Sequence, residues 1–307
     1  MDHNLPLVST FCAICGPQSK AIEIFPSNFS PNDLTPDTFS ARRLPDKIHY
    51  RIVRCQSCGL VRSDPIIAPE TLSELYAKSN QTYDTEVNNL MDSYVKYLDK
   101  AVINLSGGVK KGRLLEIGCG SGFFLEKALE YGFEYVHGIE PSRQAVEKSA
   151  PHIHPNIICD MLRPGLLQTD YFDLICMFQV FDHIDHPGML LDECYKALKP
   201  GGGILFLNHD VKALTARLLG ERSPIIDIEH TYLYDPSTIQ KIATQHGFLV
   251  TEVGPAVNRI SLRYLVHLLP LPNGVKISLL KTLHDSPIGK ITFQLHLGNL
   301  YMVVKKP

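Results

Sequence analysis

The chain has 307 residues, 44% hydrophobic and 20% charged, with a formal net charge of -2. That length allows a large core with a small appendage, and that balance is the composition of a globular protein. The near-neutral charge excludes a bulk attraction to nucleic acid or an anionic membrane. No run approaches the roughly 18 apolar residues of a bilayer span. The opening Met-Asp-His-Asn-Leu-Pro lacks the basic start and apolar stretch of a secretory signal, so a cytoplasmic protein is expected.

Four of the eight cysteines come in two C-x-x-C-G knuckles, Cys12-Ala-Ile-Cys15-Gly16 and Cys55-Gln-Ser-Cys58-Gly59. The other four are scattered singly in apolar surroundings, as buried reduced cysteines are. Paired knuckles of this spacing predict a tetrahedral Zn site of the ribbon type. The 39 residues between them are rich in proline and can bury little apolar surface, so a metal cross-link would supply stability. A redox dithiol or a catalytic Zn are the alternatives, but four thiolates fill a tetrahedral ion and leave no position for water. Residues 1–65 are therefore read as a zinc ribbon.

Residues 66–108 read as a helical link. Pro69 starts a short helix with Leu72, Leu75 and Tyr76 on one face. After a polar break, Leu90, Met91, Tyr94, Leu98, Ala101 and Leu105 recur at three and four residues, an amphipathic helix. Tyr76 and Tyr83 are candidates to line a ligand cleft, against the plainer reading of core or surface tyrosines.

From residue 109 to 307 short apolar runs alternate with helical patterns, as a doubly wound, mainly parallel α/β sheet requires. The run Leu114 to Ile117 ends in Gly118-Cys119-Gly120-Ser121-Gly122, where glycines permit a tight turn close to a ligand. The spacing is G-x-G-x-G rather than the dinucleotide G-x-G-x-x-G. The acidic Glu116 before the turn, and the absence of a Lys-Ser/Thr pair for phosphates after it, favour S-adenosylmethionine (SAM). Glu140 ends the second strand about 20 positions on, where a carboxylate receives ribose hydroxyls; a helix-start carboxylate is the alternative. Asp160 and Met161 end a weak third strand. The strongly apolar fourth, Phe172 to Phe178, leads into Gln179, Asp182 and His183. The fifth, Ile204 to Leu207, leads into Asn208 and His209. Residues 255–292 form an insertion between the last two strands, a lid or packing helix in the plainest reading, with a membrane contact or dimer interface as alternatives.

Taken in order, Leu-Glu-Ile-Gly-Cys-Gly-Ser-Gly, Gly-Ile-Glu-Pro-Ser, Phe-Asp-Leu-Ile-Cys-Met-Phe-Gln-Val-Phe-Asp-His-Ile, Leu-Lys-Pro-Gly-Gly-Gly and Leu-Gly-Asn-Leu-Tyr-Met-Val-Val-Lys-Lys resemble a class I SAM-dependent methyltransferase. The resemblance implies a seven-stranded Rossmann-like sheet with an antiparallel last strand. It places Glu116, Gly118, Cys119, Gly120 and Gly122 at the methionine part, Glu140 and Pro141 at the ribose, and Asp160 and Met161 at the adenine. Phe178 and Gln179 would flank the sulfonium. Where relatives commonly carry a histidine and a glutamate around that strand, this chain has Gln179 and Asp182.

The double knuckle adds a similarity to methyltransferases of sugars and other small molecules. Their Glu-His pair after the fifth strand matches Glu229-His230, just before a helix start with Asp235 as cap and Pro236 behind it. The resemblance implies that His230 takes a proton from the acceptor while Glu229 orients it, with His183 as second choice. Asn208 and His209 would orient the acceptor. The expected function is methyl transfer from SAM to a small-molecule acceptor. The alternatives are a nucleic-acid or protein methyltransferase docked through the ribbon, and a SAM-binding protein without catalysis.

Overall fold

Short strands make up the N-terminal segment, and they lean on later parts of the chain. The computed structural model describes residues 6–39, 47–79, 87–105, 111–269, 271–284 and 286–307. Strand β1 (Leu7–Val8) pairs antiparallel with β5 (Ile66–Ile67). Strands β2 (Ala21–Phe25), β3 (Ile52–Cys55) and β4 (Val61–Ser63) form an antiparallel sheet. Its fourth member, β11 (Tyr232–Leu233), comes from the far half of the chain and pairs with β4. Ile52 and Val61 of this sheet pack with Ile225, Ile226 and Leu233 in one buried cluster. The segment just after Cys58 thus clamps the loop that carries Glu229 and His230.

Helix α1 (Pro69–Lys78) starts at a proline, whose missing N–H costs nothing in a first turn. Helix α2 (Val87–Asn104) buries the predicted stripe, with Leu90, Met91, Tyr94, Leu98, Ala101 and Leu105 all under 9% exposed.

The large sheet has seven strands: β6 (Arg113–Ile117), β7 (Tyr135–Ile139), β8 (Ile157–Ile158), β9 (Phe172–Phe178), β10 (Leu198–His209), β12 (Leu249–Ser261) and β13 (Thr292–Lys305). Their order is β12-β13-β10-β9-β6-β7-β8, and β13 runs antiparallel to both its neighbours. Side chains alternate between its two faces, as a period of two demands. Ile175 and Met177 of β9 join one core with Leu191 and Cys194 of helix α5 (Pro187–Ala197) and Ile239 and Ile242 of α7 (Pro236–Gln245). Leu174, Cys176 and Phe178 join the other with α2 and with Phe124 and Ala128 of α3 (Phe123–Tyr131).

Strand β10 begins at Leu198, earlier than its apolar run, with a register break before Gly203. A Cβ on Gly203 would stand 2.3 Å from the Val304 carbonyl oxygen, so only glycine lets β13 approach there. Strands β12 and β13 extend past the main sheet as a long hairpin, through the stretch read as insertion. Helices α8 (Leu262–Leu268) and α9 (Asn273–Leu283) connect its ends. No helix among the described residues is long and apolar enough to cross a membrane.

Candidate active site

Parallel strands β6, β7 and β9 deliver their carboxyl ends to one edge of the sheet, where such folds bind ligands. A cavity of about 370 Å³ opens there. At the turn after β6, Gly118, Gly120 and Gly122 have φ of 73°, 57° and 77°, the left-handed region that glycine occupies without strain. A Cβ on Gly118 would also meet Val180 Cγ2 at 2.4 Å. The turn then runs directly into α3, with Gly122 as its cap.

Glu140 Oε2 accepts from the Gly120 N–H at 2.8 Å and Oε1 from the Ser142 N–H at 2.9 Å. Burial pushes this carboxyl above its ordinary range, partly opposed by those two backbone donors. Ser142 also caps α4 (Arg143–Glu147) and donates through Oγ to the Ser79 carbonyl at 3.0 Å, tying the end of α1 to the same loop. Glu116, Gly118, Cys119, Gly120, Glu140, Pro141, Asp160 and Met161 all line the cavity.

In the middle, Phe178 stacks on Tyr94 with ring centroids 4.1 Å apart. Gln179 beside it has φ of 56°, a left-handed conformation that costs an L residue roughly 1–2 kcal/mol. Both line the cavity. Backbone strain of this kind at a strand end is where functional sites store it.

The far side holds a polar cluster. Asp182 is 1% exposed, and its Oδ2 lies 2.6 Å from His209 Nδ1. Its Oδ1 is 3.8 Å from His183 Nε2. His183 Nδ1 is 3.1 Å from the Tyr76 hydroxyl. The His230 ring lies 4.9 Å from that of His183 and 4.7 Å from that of His209. His230 Nδ1 stands 2.8 Å from the Ile225 carbonyl. A carbonyl only accepts, so this nitrogen carries the proton and Nε2 keeps its lone pair. Burial holds His230 below the ordinary histidine range, with the Asp182 charge opposing. Burial alone would raise Asp182, but the charge and hydrogen bond of His209, with His230 and His183 nearby, hold it well below the carboxylate range. Burial, then the Glu229 charge, raises the Tyr76 phenol well above its ordinary value, so it stays protonated.

Tyr76, His183, His209, Glu229 and His230 line the cavity. Gly122 and Asn208 do not; Asn208 is fully buried behind the wall, its side-chain amide without a hydrogen-bond partner. Tyr83 lies outside the described residues. Asp182, singled out in the sequence only as a departure from relatives, turns out to be the hub. Its meeting with His209 follows from strand register: Phe178 and Leu207 are partners on β9 and β10, so the residues just past both strands converge.

Away from the cavity, Cys12, Cys15, Cys55 and Cys58 place their four sulfurs within 4.8 Å of one another. Each knuckle closes through a backbone hydrogen bond, Gly16 N–H to the Cys12 carbonyl at 2.8 Å and Gly59 N–H to the Cys55 carbonyl at 3.0 Å. Gly16 and Gly59 have φ of 78° and 84°. Four soft thiol donors in that spacing fit a tetrahedral Zn, whose sulfurs sit about 2.3 Å from the ion.

A family model described as a methyltransferase domain matches residues 90–253, more than half the chain. The chain belongs to this methyltransferase family. It is a class I SAM-dependent methyltransferase. The ubiquinone biosynthesis O-methyltransferase of Shewanella sp. (strain ANA-3) is 22% identical to the methyltransferase over 168 residues, 50% of this chain and 69% of that protein. The protein of the same name from Caulobacter vibrioides is 34% identical over 116 residues, 35% of this chain and 45% of its own length. Among solved structures, the plantazolicin methyltransferase BpumL, in complex with a triazolic desmethylPZN analog and SAH, has a TM-score of 0.50 at 17% identity. The match covers 72% of this chain and 86% of that one. A candidate methyltransferase from Bacillus halodurans C-125 also reaches 0.50, at 14% identity, over 70% of this chain and 99% of its own. These two overlays show the shared fold.

Proposed function

We propose that this methyltransferase modifies a protic group, in the first place a hydroxyl, of a small molecule that binds between the cofactor and the histidine cluster. The observation that carries the reading is a single cavity with a carboxylate-lined end at Glu116 and Glu140 and a polar end at Tyr76, His183, His209 and His230. The names of the sequence relatives, O-methyltransferases of ubiquinone biosynthesis, support oxygen as the nucleophile.

SAM supplies a methyl group on a positively charged sulfur, which departs with the C–S electron pair as S-adenosylhomocysteine. Glu116 and the turn at Gly118 to Gly120 would hold its amino-acid part, Glu140 and Pro141 the ribose, and Asp160 and Met161 the adenine. Each Glu140 oxygen already accepts one backbone N–H and has a further lone pair for a ribose hydroxyl. Phe178 and Gln179 flank the transfer position. The protein's share of the chemistry is alignment and exclusion of water. The neutral Nε2 of His230 takes the acceptor's O–H proton as oxygen bonds to the methyl carbon. Glu229 and His183 border the acceptor, with Tyr76 and His209 positioning it.

Cys12, Cys15, Cys55 and Cys58 would hold a structural Zn. Its role in catalysis is mechanical: the ribbon's Ser63 donates through Oγ to the His230 carbonyl at 2.7 Å and through N–H to the Thr231 carbonyl at 2.9 Å. A folded ribbon therefore fixes the loop that presents His230.

The test is transfer of labelled methyl from SAM into metabolite extracts, RNA and protein in parallel. Label in low-molecular-mass products that disappears with His230→Asn supports the reading. Label confined to RNA or protein rejects it in favour of a macromolecular acceptor.

A further inference from the structure

We infer that Asp182 is the positioning residue of this site: a buried counter-ion, hydrogen-bonded to His209, whose single charge is set to balance the proton that His230 receives. The inference rests on the acceptor side proposed above and adds how a buried imidazole can become an imidazolium there.

The argument is one of geometry. Asp182 follows β9, and its Oδ1 has no hydrogen-bond partner. Its other oxygen is bound to His209 Nδ1 at 2.6 Å, a contact in which a carboxylate only accepts. His209 thereby keeps its proton on Nδ1, and the residue lines the cavity. A buried, ionised carboxylate costs several kcal/mol of hydration, in round numbers, and persists only where opposite charge or donors offset it. The single His209 donor offsets part of that. The balance is restored when a proton arrives among the three imidazoles packed round it.

The charged and titratable groups facing His230 among the described residues are few. Asp182 and His183 come from the loop after β9, His209 from the end of β10, Tyr76 from α1, and Asp227 and Glu229 from its own loop. Asp227 Oδ1 accepts from the Glu229 N–H at 3.0 Å, so it is engaged in shaping the loop. Counted over Asp182 and the three imidazoles alone, the set carries one negative charge while the imidazoles are neutral. After proton uptake by His230 Nε2 it carries none, and the bond broken is the acceptor's O–H. That set is thus built to take up the proton an acceptor surrenders.

The experiment follows the histidine Cε1–H resonances of the full-length protein through a pH titration, with SAM-binding calorimetry on each variant. It needs no turnover, so it stands whatever the acceptor proves to be. Asp182→Asn should lower the His230 midpoint by about one pH unit or more, the size of a charge at this range. It should also release His209 from its fixed tautomer in the nitrogen shifts. His209→Phe should do the opposite to His230: without its donor, the whole Asp182 charge acts on that ring and the midpoint rises. Opposite shifts with SAM affinity unchanged support the inference. A His230 midpoint unmoved by both variants overturns it. So does stoichiometric Mn²⁺ binding by electron paramagnetic resonance that Asp182→Asn abolishes, since Asp182, His183 and His230 place one ligand atom each within 4.8 Å and the carboxylate would then serve an ion.

Discussion

Replacing Glu140 by glutamine keeps the shape of the side chain and removes its charge. In the native structure both carboxylate oxygens accept backbone N–H groups, from Gly120 at 2.8 Å and Ser142 at 2.9 Å. The amide can accept only one of these, and its NH2 then points a donor at the other N–H. A buried donor left without an acceptor costs about 1–3 kcal/mol of stability. The ribose hydroxyls lose more: hydrogen bonds to a charged acceptor are worth about 1.5–3 kcal/mol each, against about 1 for a neutral one. With one contact weakened and one lost, SAM affinity should fall by about 2–4 kcal/mol, roughly 30- to 900-fold in Kd. Calorimetry with SAM at constant pH, on a variant shown by thermal unfolding to be folded, measures this. Wild-type Kd for the folded variant would refute the ribose assignment. In the native protein, affinity should also weaken in acid: burial has raised the Glu140 pKa, so the carboxylate form is present above that value and is lost as pH falls through it.

Further outcomes are expected. His230→Asn should slow methyl transfer about 10²- to 10⁴-fold with SAM binding intact. In the wild type the acidic limb of kcat/KM should lie below the ordinary histidine range, because burial depresses His230 and its basic form persists above that lowered pKa. The same shift makes the fold less stable as pH drops through the unfolded histidine value, since only the unfolded chain then binds the proton readily. Cys55→Ser should remove stoichiometric Zn in metal analysis and reduce methyl transfer more than SAM affinity, because the ribbon's Ser63 holds the loop that carries His230. Equal losses would refute that division. Phe206→Ala, deleting a fully buried ring that packs 5.0 Å from Phe181, should cost about 3–5 kcal/mol in denaturant unfolding.

Local chemistry was written in the sequence where the relevant residues are near neighbours. The glycine turn follows an apolar strand, and its positive φ values are those glycine alone adopts freely. The cap at Asp235 is read from Asp-Pro-Ser-Thr, and Asp235 Oδ1 does accept from Ser237 and Thr238 N–H. The period of α2 already names its buried face. The Cys-x-x-Cys spacing likewise puts sulfurs together within each knuckle.

The acceptor end was less legible. The contact on His230 Nδ1 is the Ile225 carbonyl, five residues back in a loop without a recognisable pattern. Asn208 is one residue from His209, yet the alternation along β10 sends it into the interior and only His209 to the cavity.

Taken alone, the amino-acid sequence therefore determined the central strands and their helices, the doubly wound class, the glycine turn with its two carboxylates and the paired thiol knuckles. Each depends on a period or spacing of a few residues, set by backbone geometry. Tertiary structure alone decided that Asp182, His183, His209 and His230 share one cluster, and that a strand of the ribbon sheet comes from residues 232 and 233. Those pairings join positions separated by tens to hundreds of residues. Their register is fixed by how strands align and how buried faces interlock, which no local pattern encodes.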